Sequence, residues 1–351
     1  MSMSKTDFYQ SHLNRVSRSF AYCIGNLNAP LKAWVGLTYL ICRVLDTVED
    51  APWRHDLDQQ KHFDRFNDFL MKAPEKEDVE HWSARFPESI PEGERLLLQD
   101  SHKLFEDLHQ SPDSVKSIIQ QMVVSMSQGV KHFSHTKSEN NGVLKLSSLK
   151  EVNQYCFFVA GVVGEALARL VEHVEPQFKV ARHRILDAHH FGLFLQKVNL
   201  LKDQKNDAVE GREFVYDRNE ILQSMSYNAH GAWRFFQNLP LQQREFRLFC
   251  AWSLFLGLAS LPWLEQFNEL ETSGKLPREE AEEIFNGVEA MIDDPDQLDD
   301  LFGQLLAASG LSTVTDEQYL AQKSSSPATE TWPSSLYHGQ MEPVQAVSLG
   351  F

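Results

Sequence analysis

The sequence predicts an all-α protein, on three observations. Apolar residues recur at helical spacing through most of the chain, strand-like alternation is almost absent, and breakers punctuate the periodic runs. With 351 residues and 42% hydrophobic content, the chain can bury a substantial core. Residues 1–295 read as one helical domain, and 296–351 as a C-terminal segment with a flexible tail from about residue 324.

The expected helices follow in order. The first, about 5 to 25, contains Ser17-Arg18-Ser19-Phe20, where short polar residues serve either as a plain helix cap or as an anion contact at a helix N-terminus. The second, 31 to 50, ends in Asp46-Thr47-Val48-Glu49-Asp50 and is closed by Pro52. A third, 58 to 72, stops at the acidic linker Pro74-Glu75-Lys76-Glu77-Asp78. Helices at 92 to 109 and 113 to 135 lead to a polar loop, 136 to 147, which contains Gly142 and a brief extended turn. The run 148 to 174 carries small residues in Val159-Ala160-Gly161-Val162-Val163-Gly164, and 178 to 207 ends in Asp203-Gln204-Lys205-Asn206-Asp207. Helices at 217 to 238, 242 to 270 and 277 to 291 complete the series. Small residues on apolar faces mean either close helix packing or a tunnel walled by Phe157, Phe158, Phe194 and Leu195.

The two acidic clusters carry the chemistry. At i, i+3 and i+4, Asp46, Glu49 and Asp50 share one helix face with Cβ atoms about 5 to 6 Å apart, as do Asp203 and Asp207. Such faces repel themselves unless they are solvated or bridged by cations. Magnesium suits the second case, because it binds one or two carboxylates together with waters and substrate phosphates. Asn199 extends the second face by one turn, Gln196 and Lys197 precede it, and Arg43, Lys202 and Arg212 supply cations for a diphosphate.

These segments resemble the squalene and phytoene synthase family. The resemblance rests on Ser17 to Phe20, Tyr39 to Arg43 with Leu45 to Asp50, Tyr155-Cys156 with Val159-Ala160-Gly161, Gly192-Leu193-Phe194-Leu195-Gln196-Lys197, and Asp203 to Phe214 ending in Gly211-Arg212-Glu213-Phe214. They fall in family order over residues 11 to about 290, and the Gly192 and Gly211 segments look closer to squalene synthases. The resemblance implies an isoprenoid synthase-type helical bundle around a central cavity, in which two farnesyl diphosphates join head to head through presqualene diphosphate. With NADPH the product is squalene. It further implies Mg2+ held by Asp46, Glu49, Asp50, Asn199, Asp203 and Asp207, with Ser17, Arg18, Ser19, Arg43, Gln196 and Asn199 on the substrate diphosphate. Lys202 and Arg212 would contact diphosphate or cofactor, and Lys275 and Arg278 are either a partial counterpart of a late basic cofactor cluster or a turn before a helix at Pro277.

One departure stands out. The family's catalytic tyrosine lies within the Tyr-Cys-x-x-Val-Ala-Gly stretch, where this chain has Phe157 and Phe158. A phenyl face shields a carbocation but transfers no proton, so that role passes to released diphosphate, Tyr155 or Tyr39, or is absent. A presqualene diphosphate synthase, a phytoene-type synthase on longer donors, and a non-catalytic helical binding protein therefore remain open alternatives.

A net charge of −16 argues against nucleic acid as a partner. Cys23, Cys42, Cys156 and Cys250 show no metal or disulfide spacing, and the N-terminal residues lack the apolar stretch of a signal peptide, so cytoplasmic residence is the expectation. The most apolar run, Leu248 to Leu264, reads as a buried helix rather than a transmembrane anchor. The tail is expected either to be disordered or to make peripheral membrane contact through Trp332, Leu336, Tyr337 and Phe351.

Overall fold

The computed structural model describes residues 5–266 and 275–325, without the side chains of Arg18, Ser19, Arg182, Glu265, Gln266 and 322–325. Helices α1 (Lys5–Val16) and α2 (Arg18–Gly25) are separated at Ser17, whose hydroxyl accepts from the Phe20 N–H at 3.3 Å. The cap interrupts what the apolar pattern alone extends as one helix. Then follow α3 (Leu31–Asp50), α4 (Asp56–Met71), α5 (Lys76–Ser83), α6 (Glu92–Gln110) and α7 (Asp113–Glu139). The expected acidic linker is in part helix α5, pinned by buried Val79 and Trp82.

Next come α8 (Leu149–Cys156), a π-helical turn (Phe157–Gly161) and α9 (Val162–Val174). The long helix α10 (Arg182–Val209) packs against the π turn, α9, α11 (Arg218–Gln237) and α12 (Arg244–Gln266). Its 28 residues make a rod of about 42 Å. The chain continues through α13 (Arg278–Met291), α14 (Pro295–Ala308) and α15 (Asp316–Ser325).

The boundary expected near residue 295 is corrected, because α14 and α15 pack on the same core. Phe302 stacks on Trp233 at 4.6 Å between ring centroids, and the Tyr319 hydroxyl donates to buried Asp187 at 2.7 Å. Two helical stretches, Leu149–Val174 and Arg244–Leu264, are long and apolar enough to cross a membrane, but 72% of each apolar window is buried inside the bundle. All four cysteines are free. Trp332, Leu336, Tyr337 and Phe351 lie outside the described residues.

The small residues permit close packing. A Cβ on Gly192 of α10 would lie 2.2 Å from the Ala160 carbonyl oxygen, and one on Gly164 would lie 2.0 Å from that of Ala188. These neighbours are backbone, with no rotamer to give way. Phe194 occupies the space left by Gly257, where a Cβ would meet it at 2.9 Å, so this stretch is filled core rather than tunnel wall. Gly192→Ala is therefore expected to destabilise the fold by about 3 kcal/mol or more, read as a lowered denaturation midpoint at unchanged slope. A shift below about 0.5 kcal/mol would show that α10 and the π turn have room to part.

A candidate active site between two acidic helix ends

Asp46, Glu49 and Asp50 occupy the last turns of α3, and Asp203 and Asp207 the last turns of α10. A helix C-terminus carries partial negative charge, so both clusters sit where the backbone itself opposes anions. The fold brings the two ends together across one cavity of about 660 Å³. Ser17, Tyr39, Arg43, Gln196, Asn199, Lys202 and Arg212 line it with them, as the sequence predicts, among apolar walls that include Phe20, Met126, Val159 and Leu200.

Electrostatics confirm the crowding. Burial, reinforced by Asp50 and Glu94 and opposed by Arg43, pushes the Asp46 carboxyl up to about 7. Burial with Asp50 and Asp46 raises Glu49 well above the carboxylate range. Burial, against the pull of Arg212, pushes Asp207 up to about 6. These groups hold protons in the folded protein that the unfolded chain has released, so metal-free stability should fall as pH rises from about 4 to 7. Melting temperatures across that range check this. A stability that rises with pH there would mean that the carboxylates are already compensated.

The cations are placed to answer this charge. Arg43 pairs with Asp46 at 3.6 Å and with Glu94 on α6, and Lys202 lies 3.5 Å from Asp203. Arg212 pairs with Asp50, with Glu210 and, at 3.3 Å, with Asp207, so it bridges the two clusters. Its position is set by a parallel pair of two-residue strands, β1 (Leu144–Lys145) and β2 (Arg212–Glu213), with Leu144 opposite Arg212. Gly211 precedes it at φ +72°, and a Cβ there would lie 2.3 Å from the Gly142 carbonyl oxygen, so only glycine fits the turn.

Two expected contributors are elsewhere. Phe157 and Phe158 are fully buried and line no part of the cavity, which corrects their assignment as catalytic groups. In a regular α-helix, residue 158 shares a face with residue 155. Here the Val162 N–H reaches the Phe157 carbonyl, five residues back, and the wider turn carries Phe158 into the core against Gly129. The aromatic of this stretch that faces the cavity is Tyr155, stacked on Phe214 at 4.5 Å between ring centroids. Burial, with Glu49 and Asp50 nearby, raises its phenol well above the usual value. Tyr39, the second phenol in the lining, is raised by burial and is hydrogen-bonded to Ser17.

Lys275 and Arg278 are the other correction. Both are exposed, Arg278 pairs with Glu282 one turn along α13, and neither lines the cavity. The helix-start reading of Pro277 is the one the structure bears out. The side chains of Arg18 and Ser19 lie outside the described residues. Sequence reasoning missed Glu94, which is placed by a contact between distant elements, and Glu210, which is placed by the turn after α10; Asn206, in the last turn of α10, also lines the cavity.

The residues fit magnesium and a diphosphate. Among the described residues no group of three or more acidic, histidine or cysteine side chains is arranged to hold a metal by itself, so Mg2+ here would share one or two carboxylates with phosphate oxygens and water, as it prefers. The Nε donor of Arg43 is buried and has no hydrogen-bond partner, which leaves a donor for a phosphate oxygen, whereas that of Arg212 faces Asp207 at 3.3 Å. For a nicotinamide cofactor the fit is partial, since only Lys202 and Arg212 of its four expected cations are present in the cavity.

Comparison with known proteins agrees with this geometry. Residues 13–230 match the squalene/phytoene synthase family. The chain is 34% identical over 206 residues to the squalene synthase of Mycosarcoma maydis, covering 58% of this chain and 34% of that protein. It is 32% identical over 205 residues to squalene synthase ERG9 of Saccharomyces cerevisiae, covering 58% and 43%. The matched stretch thus spans less than half the length of these curated relatives. The solved structure of TcSQS with the ligand BPH1237 superposes with a TM-score of 0.67 at 20% identity, over 87% of this chain and 98% of that one. A dehydrosqualene synthase structure superposes at 0.57 and 14% identity, over 82% and 96%. With the family match extending over more than half its length, and the acidic helix ends meeting in one cavity, this chain belongs to the squalene/phytoene synthase family.

Proposed function

We propose that the protein condenses two farnesyl diphosphates head to head through presqualene diphosphate, and reduces that intermediate to squalene when NADPH is supplied. The observation that carries this reading is the meeting of Asp46, Glu49 and Asp50 with Asp203 and Asp207 across one cavity that also holds Arg43, Lys202 and Arg212. Asp46, Glu49 and Asp50 on one side, and Asn199, Asp203 and Asp207 on the other, would hold Mg2+. When bound there, the metal would supply positive charge to stabilise a diphosphate leaving group. Arg43, Lys202 and Arg212 donate to its oxygens, and Phe20, Met126, Val159 and Leu200 keep water from the allylic cation. Tyr155, which lines the cavity, would be the group that moves a proton.

A second reading, a synthase that stops at presqualene diphosphate, is favoured by the exposed position of Lys275 and Arg278, which leaves the reductant without half its expected cations. Incubation with farnesyl diphosphate and Mg2+, with and without NADPH, followed by mass spectrometry of lipids before and after phosphatase, separates the two. Squalene that appears only with NADPH supports the full reaction. Presqualene alcohol after phosphatase, without squalene, establishes the truncated one. No C30 product sinks both.

A further inference from the structure

We propose that Arg212 is a resident counter-cation, which bridges the acidic helix ends in the metal-free protein and yields its place only when a diphosphate draws the guanidinium away. This rests on the reading of the cavity as a metal and diphosphate site. Three carboxylates from two elements hold the one guanidinium: Asp50 ends α3, while Asp207 and Glu210 belong to the end of α10. Its side chain is 15% exposed, against 39% for Lys202, so the bridge is sheltered from water.

The bridge also divides space. Arg212, Glu49, Asp50 and Glu210 line both the main cavity and a neighbouring one of about 510 Å³, so the guanidinium stands in the partition between them. The β1–β2 pair and Gly211 fix its backbone, and only the side chain is free to exchange partners. A divalent cation arriving alone meets carboxylates already paired and a positive group beside them. A diphosphate offers the guanidinium better acceptors, including one for the Nε that Asp207 faces only at 3.3 Å, and thereby releases Asp50 and Asp207. Metal and diphosphate then bind cooperatively, each easing the entry of the other. When the diphosphate leaves, Arg212 returns to the carboxylates and lowers the hold on the metal.

Mn2+ binding by the full chain, followed by electron paramagnetic resonance with and without inorganic diphosphate, tests this without turnover. Without diphosphate, Arg212→Gln is expected to bind Mn2+ about tenfold more tightly than the wild type, the scale of one screened charge at this range. Arg212→Lys, which keeps the charge but not the three-way bridge, falls between them and serves if the glutamine variant fails to fold. Diphosphate is expected to tighten Mn2+ binding at least tenfold in the wild type and less in Arg212→Gln. Equal or weaker Mn2+ binding by both variants would overturn the counter-cation role while leaving the metal site intact. No Mn2+ binding to the wild type even with diphosphate would overturn the site reading and this inference together.

Discussion

Asp46→Asn is expected to lower kcat for C30 product by roughly 10²- to 10³-fold while raising the melting temperature of the metal-free protein. The two effects have one cause. Asp46 is half-buried near the C-terminal end of α3, and burial, reinforced by Asp50 and Glu94 and opposed by Arg43, pushes its carboxyl up to about 7. Above that pH its ionised form opposes folding, so a neutral isostere removes a repulsion. The substitution also gives up the Arg43 contact at 3.6 Å, but Arg43 keeps Glu94. Without the carboxylate, the first acidic face would lack one of its proposed metal ligands. Thermal melts in chelator at pH 8, set beside product yield with Mg2+, check both halves. A melting temperature lower by several degrees with activity retained would make Asp46 a structural partner of Arg43.

Tyr155→Phe is the second large effect, an expected loss of about 10²-fold in kcat with KM little changed. Tyr155 and Tyr39 are the two phenols in the cavity lining. In the metal-free protein burial, together with Glu49 and Asp50, makes the Tyr155 hydroxyl a weak acid. A metal that neutralised those carboxylates would lower that barrier, and the phenol would then be competent for proton transfer. Phe158→Tyr serves as the control. Its new hydroxyl would be buried in the core beside Gly129, where an unsatisfied polar group costs about 1 to 3 kcal/mol, and it should not increase turnover. Full activity in Tyr155→Phe, or a several-fold gain in Phe158→Tyr, would place the proton chemistry elsewhere.

The letters revealed much of this site because its key signal is local. Asp46, Glu49 and Asp50 show their common face by spacing alone, as do Asn199, Asp203 and Asp207, and the structure sets both faces on one cavity. Helices α3, α6 and α11 begin and end within two residues of their expected bounds, because breakers or caps stand at their ends. Helix α14 was equally readable: Asp294 caps it, Pro295 opens it, and Leu298, Phe302 and Leu306 repeat every four residues. What the letters hid depends on distant contacts. Leu144 pairs with Arg212 and Arg43 with Glu94, and no local pattern announces either. The π turn is hidden in another way, since Phe157 to Gly161 reads as good α-helix until the close approach of Gly192 to Ala160 is known.

That turn bears on how members of the family are aligned. A π turn amounts to one extra residue in an α-helix, and removing it would rotate everything on one side by about 100° relative to the other. Two chains matching letter for letter from Tyr155 to Gly164, one with the turn and one without, would offer different side chains to the same substrate. An alignment column in this stretch therefore names a position in the chain without naming a direction in space. A tyrosine gained or lost at residue 158 carries catalytic meaning only once the hydrogen-bond spacing of the helix around it is known.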